Sequence, residues 1–185
     1  MRQEHSKSNS ILSKGYGCLS LSLFSLIFFG IILEIVLPSF LVMANNAKQT
    51  EGKQYISLMN RAQQAKFAEN GVLSTSIEAL GLGIKTDTTN YKYSIRATKT
   101  AAFSSAVAKG NTIKNYFGGV FLVPAKELDP NADRDEMTTM SILCEEAEDK
   151  NNFFLFRLKP ADKPAEPIYQ NGKVICGKGT TEVTK

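Results

Sequence analysis

The chain has 185 residues, 43% of them hydrophobic, which is one domain's worth of material with enough apolar residues for a core. Lys and Arg number 22 against 18 Asp and Glu, a net charge of +4 spread along the chain, so nothing here suggests a polyelectrolyte partner such as nucleic acid. No Trp, 1 His and 3 Cys leave little for metal or acid–base chemistry, and the apolar residues crowd toward the N-terminus; a disordered chain and an ordinary cytosolic enzyme are both poor fits.

Met1 to Lys14 are polar, with Arg2, Lys7 and Lys14 against Glu4. Leu19 to Met43 follows, about 25 residues without a basic side chain and with a single acid, Glu34. A helix needs roughly 20 apolar residues to cross a hydrocarbon core, and this run is longer than a signal-peptide core. The expectation is a leader over residues 1–15 and a membrane-spanning helix over residues 16–43. The basic flank comes first, which puts the N-terminus in the cytoplasm and the rest outside. Cys18 does not fit a lipoprotein signal, because the apolar region follows it instead of preceding it; it reads as a small apolar residue at the membrane border. Glu34 is costly in lipid, so it either faces a water-filled or intersubunit site or sits near the interface and snorkels.

No cluster of charges ends the apolar run. It passes through Pro38-Ser39-Phe40-Leu41 into residues 44–71, where helix formers dominate from Gln49 to Glu69 and no Pro occurs. Tyr55, Leu58, Met59, Ala62 and Ala65 mark one apolar stripe at helical spacing, and Asn70-Gly71 is a helix stop. Residues from about Leu19 to Glu69 therefore read as one helix of about 50 residues, roughly 75 Å long. Pro38 should kink it or melt a turn.

Residues 72–185 form the outer domain. Thr75-Ser76-Ile77-Glu78 fits a capping box for a short helical turn. Leu80-Gly81-Leu82-Gly83-Ile84 is a glycine-broken apolar corner and lacks the Lys-Ser/Thr of a phosphate loop. Strands are expected at residues 90–96, 118–123, 141–144, 153–158 and 173–176. The fold class is α+β, an antiparallel sheet laid on the amphipathic half of the long helix. Asp129, Asn131, Asp133 and Asp135 alternate like the start of a calcium loop, but Arg134 stands where the turn Gly belongs and Met140 where the bidentate Glu belongs. That excludes an EF-hand and leaves a looser calcium site or a solvated acidic loop. Glu145, Glu146, Glu148 and Asp149 read as a charged surface turn. No Ser/His/Asp set, metal-ligand spacing or nucleotide loop is present in the sequence.

The pattern resembles the type IV pilins and pseudopilins. The matching residues are Lys14-Gly15, Tyr16, Gly30, Ile35-Val36-Leu37-Pro38-Ser39-Phe40-Leu41, Ala44 to Tyr55, and Met59 to Gly71 with its Asn60-Arg61-Ala62-Gln63-Gln64-Ala65 segment. The last two stretches are similar to the pilin-like G/H proteins of cyanobacteria. The resemblance implies a pilin-like α+β fold, cleavage between Gly15 and Tyr16 by a prepilin peptidase, methylation of the new N-terminus, and assembly through the N-terminal helix. It implies other pilin subunits, the pilus or secretion machinery and the lipid bilayer as partners, with the outer domain in the periplasm or on a pilus surface. In pilins a Glu stands at the fifth mature position; here that place is Ser20 counted from Gly15, or Leu21 counted back from Pro38. Some secretion pseudopilins bind calcium near their C-termini, the one cofactor the resemblance allows. Pilins commonly tie their C-terminal region with a disulfide, which implies Cys144–Cys176 outside the membrane, where disulfides persist; the alternative is two reduced core cysteines. The resulting expectation is a structural subunit, minor or divergent. Its rival is an uncleaved single-pass protein whose outer domain binds a partner, and an anchored extracytoplasmic enzyme comes third.

Overall fold

The computed structural model describes residues 5–133, 135–147 and 166–183, with the side chains of its long helix described over residues 24–32 and 39–70. The chain divides into two compact units, Met1–Ala44 and Asn45–Lys185. Helix α1 (His5–Asn70) runs through the first unit and opens the second. It begins well before the expected start near Leu19, since no Pro or Gly falls between His5 and Lys14 to interrupt it. The helix is also continuous across Pro38, so no turn melts there. Proline removes one backbone donor, and the bonds of the flanking turns hold the ladder on either side. Among the described residues, no helix is long and apolar enough to cross a membrane. The side chains of residues 16–23 and 33–38, part of the expected span, are not among them.

In the second unit α1 stops where Asn70-Gly71 predicts. Gly71 takes φ 69°, and its N–H donates to the Phe67 carbonyl at 2.7 Å. A short 3-10 turn, Glu78–Leu80, starts at the end of the expected capping box, with Ile77 and not Thr75 at the cap position and no side-chain cap bond from it. The Ser76 hydroxyl accepts the Ala79 N–H at 3.2 Å, because the tight turn starts after Ile77 and makes Ala79 the open donor. Gly81 and Gly83 take φ of 68° and 62°, letting Leu80, Leu82 and Ile84 all pack against the core.

The sheet contains β1 (Tyr91–Ala97), β2 (Ala101–Ala108), β3 (Tyr116–Pro124), β4 (Met137–Glu146) and, after the hairpin of β5 (Ile168–Gln170) and β6 (Lys173–Ile175), β7 (Thr180–Glu182). Its order is β1-β2-β3-β4-β7, antiparallel throughout. The strands expected at residues 90–96, 118–123, 141–144 and 173–176 fall within or overlap β1, β3, β4 and β6, whereas the one expected at 153–158 lies outside the described residues. Strands β2, β5 and β7 are additions. The Ala- and Ser-rich β2 has little strand preference of its own and is held by partners on both sides.

Side chains alternate across the sheet and build two cores. Tyr91, Tyr93, Ala106 and Tyr116 meet Ile56, Met59 and Ile77 on the face that carries α1. Ala101, Phe117, Phe121, Val123, Ile142 and Cys144 form the second core on the opposite face. The β5–β6 hairpin packs on it through Tyr169 and Val174, and the Tyr169 ring stacks on Phe121 at 6.3 Å. Its turn, Asn171-Gly172, takes φ of 53° and 75°, both left-handed as a two-residue hairpin turn demands. Cys176, just past β6, is joined by a disulfide to Cys144 of β4, with Cα atoms 5.8 Å apart.

The closed ring spans 32 positions, which in the chain-entropy picture is worth about 3–4 kcal/mol. Cys144→Ser is expected to lower stability by about that much in denaturant unfolding, and reduction of the native chain should reproduce the loss.

Candidate functional site

The helix meets the sheet along a face different from the apolar stripe read in the sequence. Met59 is buried as expected, but Leu58 is 42% exposed and Ala65 is exposed too. The buried line is Gly52, Ile56, Met59, Asn60 and Gln63, spaced for one helix face yet containing two amides. Apolar periodicity alone passes over such residues.

The amides make the attachment. Asn60 Nδ2 donates to the Ile142 carbonyl at 2.9 Å, and its Oδ1 accepts the Ser104 hydroxyl at 3.2 Å. Gln63 binds the Ser74 backbone twice, donating to its carbonyl at 2.7 Å and accepting its N–H at 2.8 Å. Gln64 donates to the Thr139 hydroxyl at 3.2 Å and accepts from the Ser141 hydroxyl at 3.4 Å. Small residues make room: a Cβ on Gly118 would come within 2.7 Å of Ile56 and collide with Asn60 and Ser104. Gly52 likewise lets α1 approach Tyr116 and Tyr91, where a Cβ would meet ring carbons at 2.7 and 2.9 Å. Among the described residues, every buried side-chain nitrogen and oxygen has a hydrogen-bond partner.

Two charged residues bracket this seam. Glu51 accepts from Thr88 and Asn90 at 2.6 Å each and from the Tyr93 hydroxyl at 3.1 Å. Partial burial works to raise its carboxyl, but the hydrogen bonds from Asn90, Thr88 and Tyr93 outweigh it and hold the group below the ordinary carboxylate range. Lys53 reaches Glu145 at 3.4 Å, and Lys114 reaches the same carboxylate at 2.9 Å. Glu145 is likewise held low: burial raises it, while Lys114 and then Lys53 lower it further. Burial first, then neighbouring negative charge, pushes Tyr91, Tyr93 and Tyr116 above the usual tyrosine range, so all three stay neutral.

In the first unit the described side chains of α1 are almost uniformly apolar and exposed. Phe24, Phe28 and Phe40 show 71%, 68% and 67% of their surface, and Leu26, Ile27, Phe29, Leu41 and Met43 are exposed with them. Gly15, Tyr16, Glu34 and Pro38 lie on α1, but their side-chain surroundings are outside the described residues. The structure does not gather the acids considered for calcium. Asp129, Asn131, Asp133 and Asp135 are all exposed, Asp129 accepts the Asn131 backbone N–H at 2.9 Å, and among the described residues no group of three or more metal-binding side chains converges. A groove of about 670 Å³ runs over Phe103, Phe117 and Val107, with the Arg96–Glu166 ion pair at its rim and the Ser94 and Ser105 hydroxyls 2.7 Å apart. The carboxylate among its lining residues, Glu166, is paired with Arg96, and the two serine hydroxyls bond each other.

Residues 49–177, over two-thirds of the chain, match the family of type IV pilin-like G and H proteins. The chain belongs to this family. No curated protein and no solved structure matches it. The matched region opens at Gln49, whose side chain accepts from the Tyr116 hydroxyl at 3.3 Å. The pilin-like segments noted in the sequence, Ala44 to Tyr55 and Met59 to Gly71, thus contain the residues that fasten α1 to its sheet. Sequence reasoning found those segments by resemblance and missed their role; Asn60 and Gln63, placed one and four positions past Met59, were the available signal.

Asn60→Ala is expected to cost about 2–3 kcal/mol in denaturant unfolding, because it strands a buried carbonyl and hydroxyl. Gly118→Ala is expected to cost about 1–3 kcal/mol, and the pair less than the sum, since both act on one contact. Glu51 and Glu145 have lower pKa values folded than unfolded. Their contribution to stability is therefore complete above the ordinary glutamate pKa of about 4.3 and is lost as pH falls through the depressed folded values. Unfolding midpoints measured against pH should drop below that point, and Glu51→Gln or Glu145→Gln should flatten the drop.

Proposed function

We propose that this protein is a structural, non-catalytic subunit of a type IV pilus or secretion pseudopilus, minor or divergent in kind. It is held in the plasma membrane by α1 as a prepilin, cut between Gly15 and Tyr16, and packed against other pilin helices, with residues 72–185 on the extracytoplasmic side. The observation that carries this reading is the pairing of a pilin-like G and H domain with a helix whose described residues before Ala44 expose their apolar side chains. Such a surface needs lipid or other helices around it. Lipid offers no hydrophobic gain between helices, so assembly there would rest on close packing.

A second reading has one observation in its favour. Ser20 or Leu21 occupies the place of the acid that pilins carry near the cut, so the chain could instead stay uncleaved and use its outer domain to bind a partner. Intact mass and N-terminal sequence of the protein from native membranes and from sheared surface filaments decide between them. We expect a mature chain beginning at Tyr16 in the filament fraction. An uncut chain confined to membranes would overturn the filament reading in favour of the second.

A further inference from the structure

Near the outer edge of the sheet stand three exposed lysines that form no ion pair among the described residues. Tyr93 N–H donates to the Thr86 carbonyl at 2.8 Å and Thr88 N–H to the Tyr91 carbonyl at 2.9 Å, so the odd-numbered residues of β1 turn their backbone groups away from β2. Beyond that short cover, Ile95 and Ala97 present theirs at the edge without a backbone partner among the described residues. Lys85 before β1, Lys92 in its covered half and Lys99 in the β1–β2 turn are exposed and form no ion pair among the described residues, whereas Arg96 is taken by Glu166 and Asp87 by Lys109. Open strand edges are normally blunted by charge or covered by a partner.

Elsewhere on the same unit, the β3–β4 connection has the opposite character. Its exposed Asp129, Asp133, Asp135 and Glu136 form no ion pair among the described residues. Residues 126–136 carry five acids against Lys126 and Arg134, and residues 85–99 carry four basic side chains against Asp87. The two segments are therefore complementary, net −3 and net +3. The acidic connection joins β3 to β4 in the middle of the sheet, at the end where the β1–β2 turn also lies, whereas the rest of β1 runs away from it along the edge.

From this placement we infer that the acidic β3–β4 connection of one copy docks on the basic β1 edge of a second copy. Carboxylates supply acceptors for the lysines and for the β1 backbone N–H groups that have no partner among the described residues, and the contact joins two different surfaces. Head-to-tail contacts of that kind extend into rings or open helical arrays rather than closing as a symmetric pair. Single exposed ion pairs are weak, so the contact acts through several charges together and in concert with α1, and it weakens with salt. The inference rests on the proposed assembly of copies and assigns the contact between their outer domains.

The test uses the full chain in its native membranes. A chain carrying Lys92→Cys and Asp133→Cys is treated with a short thiol cross-linker, and each single variant serves as control. Cross-linked ladders from the double variant alone are expected. Lys92→Glu with Lys99→Glu, introduced into the chain of Asp133→Cys with a reporter Cys at Thr98, should cut that variant's ladder several-fold. Adding Asp129→Lys and Asp135→Lys should restore it. The inference is overturned if no ladder forms in membranes where the protein is abundant, or if charge reversal leaves the ladder unchanged, or if the second reversal fails to restore it while the variants keep the native fold by circular dichroism. Recovery in sheared filaments is scored separately. Absence from filaments with a ladder present in membranes sinks the pilus reading and leaves the contact standing, and the converse result does the opposite.

Discussion

The second unit depends on one buried amide. Asn60 joins α1 to two strands at once, giving a hydrogen to β4 and taking one from β2 across the gap left by Gly118. An apolar stripe would hold the helix against the sheet at many angles and offsets, because hydrophobic burial has no direction. A buried amide has directional demands, and leaving either end unmet costs more than the bond is worth. Gln63 and Gln64 add the same demand one turn on, so the helix has a single position in which all three are satisfied. Strand register follows, since Ser104 faces Gly118 across β2 and β3 and a shift of one residue would turn both away from Asn60.

The opposite face of the sheet is closed by different means. There the covering piece is a hairpin of three residues a side, too small to be stable by itself. It is held by the disulfide from Cys176 to Cys144, by Tyr169 lying on Phe121 with its hydroxyl bonded to Glu127, and by Pro167 settling over Gly119. A Cβ on Gly119 would meet Pro167 at 3.1 Å. The adjacent glycines of β3 thus serve opposite faces, Gly118 admitting the helix and Gly119 the hairpin. That is why a central strand contains a Gly-Gly pair that its own strand propensity would forbid.

How much of this is legible in the sequence depends on whether the signal is local. The helix end at Asn70-Gly71 and the strands around Tyr93, Val120 and Ile142 carry their own pattern of turn residues, alternation and β-branched or aromatic side chains. β2 does not, because Ala and Ser become a strand only when two partners are in place. The β5–β6 hairpin has a local signal in Asn171-Gly172, the turn pair between Ile168-Tyr169-Gln170 and Lys173-Val174-Ile175, although in the sequence only residues 173–176 read as a strand. The stripe on α1 failed differently. Hydrophobicity scoring favours Leu58 over Asn60, but the sheet beneath offers a glycine, a serine hydroxyl and a carbonyl, which suit an amide. That complement is built from residues 44 to 82 positions away and has no local trace.

The same accounting separates the two stretches of α1. From Glu51 to Gln64 each turn has a side chain fixed by the sheet or the adjoining loops, through Glu51, Ile56, Asn60 or Gln63, so this part of the helix is saturated by its own domain. From Phe24 to Ile32 and from Phe40 to Met43 the described side chains are large, apolar and exposed. Exposed apolar surface of that extent is a liability for a chain on its own in water. Lipid and the helices of other chains would each cover it, and both lie outside this chain. One stretch of the helix is thus saturated by its own domain and the other is left to its surroundings, a division that suits a pilin-like chain.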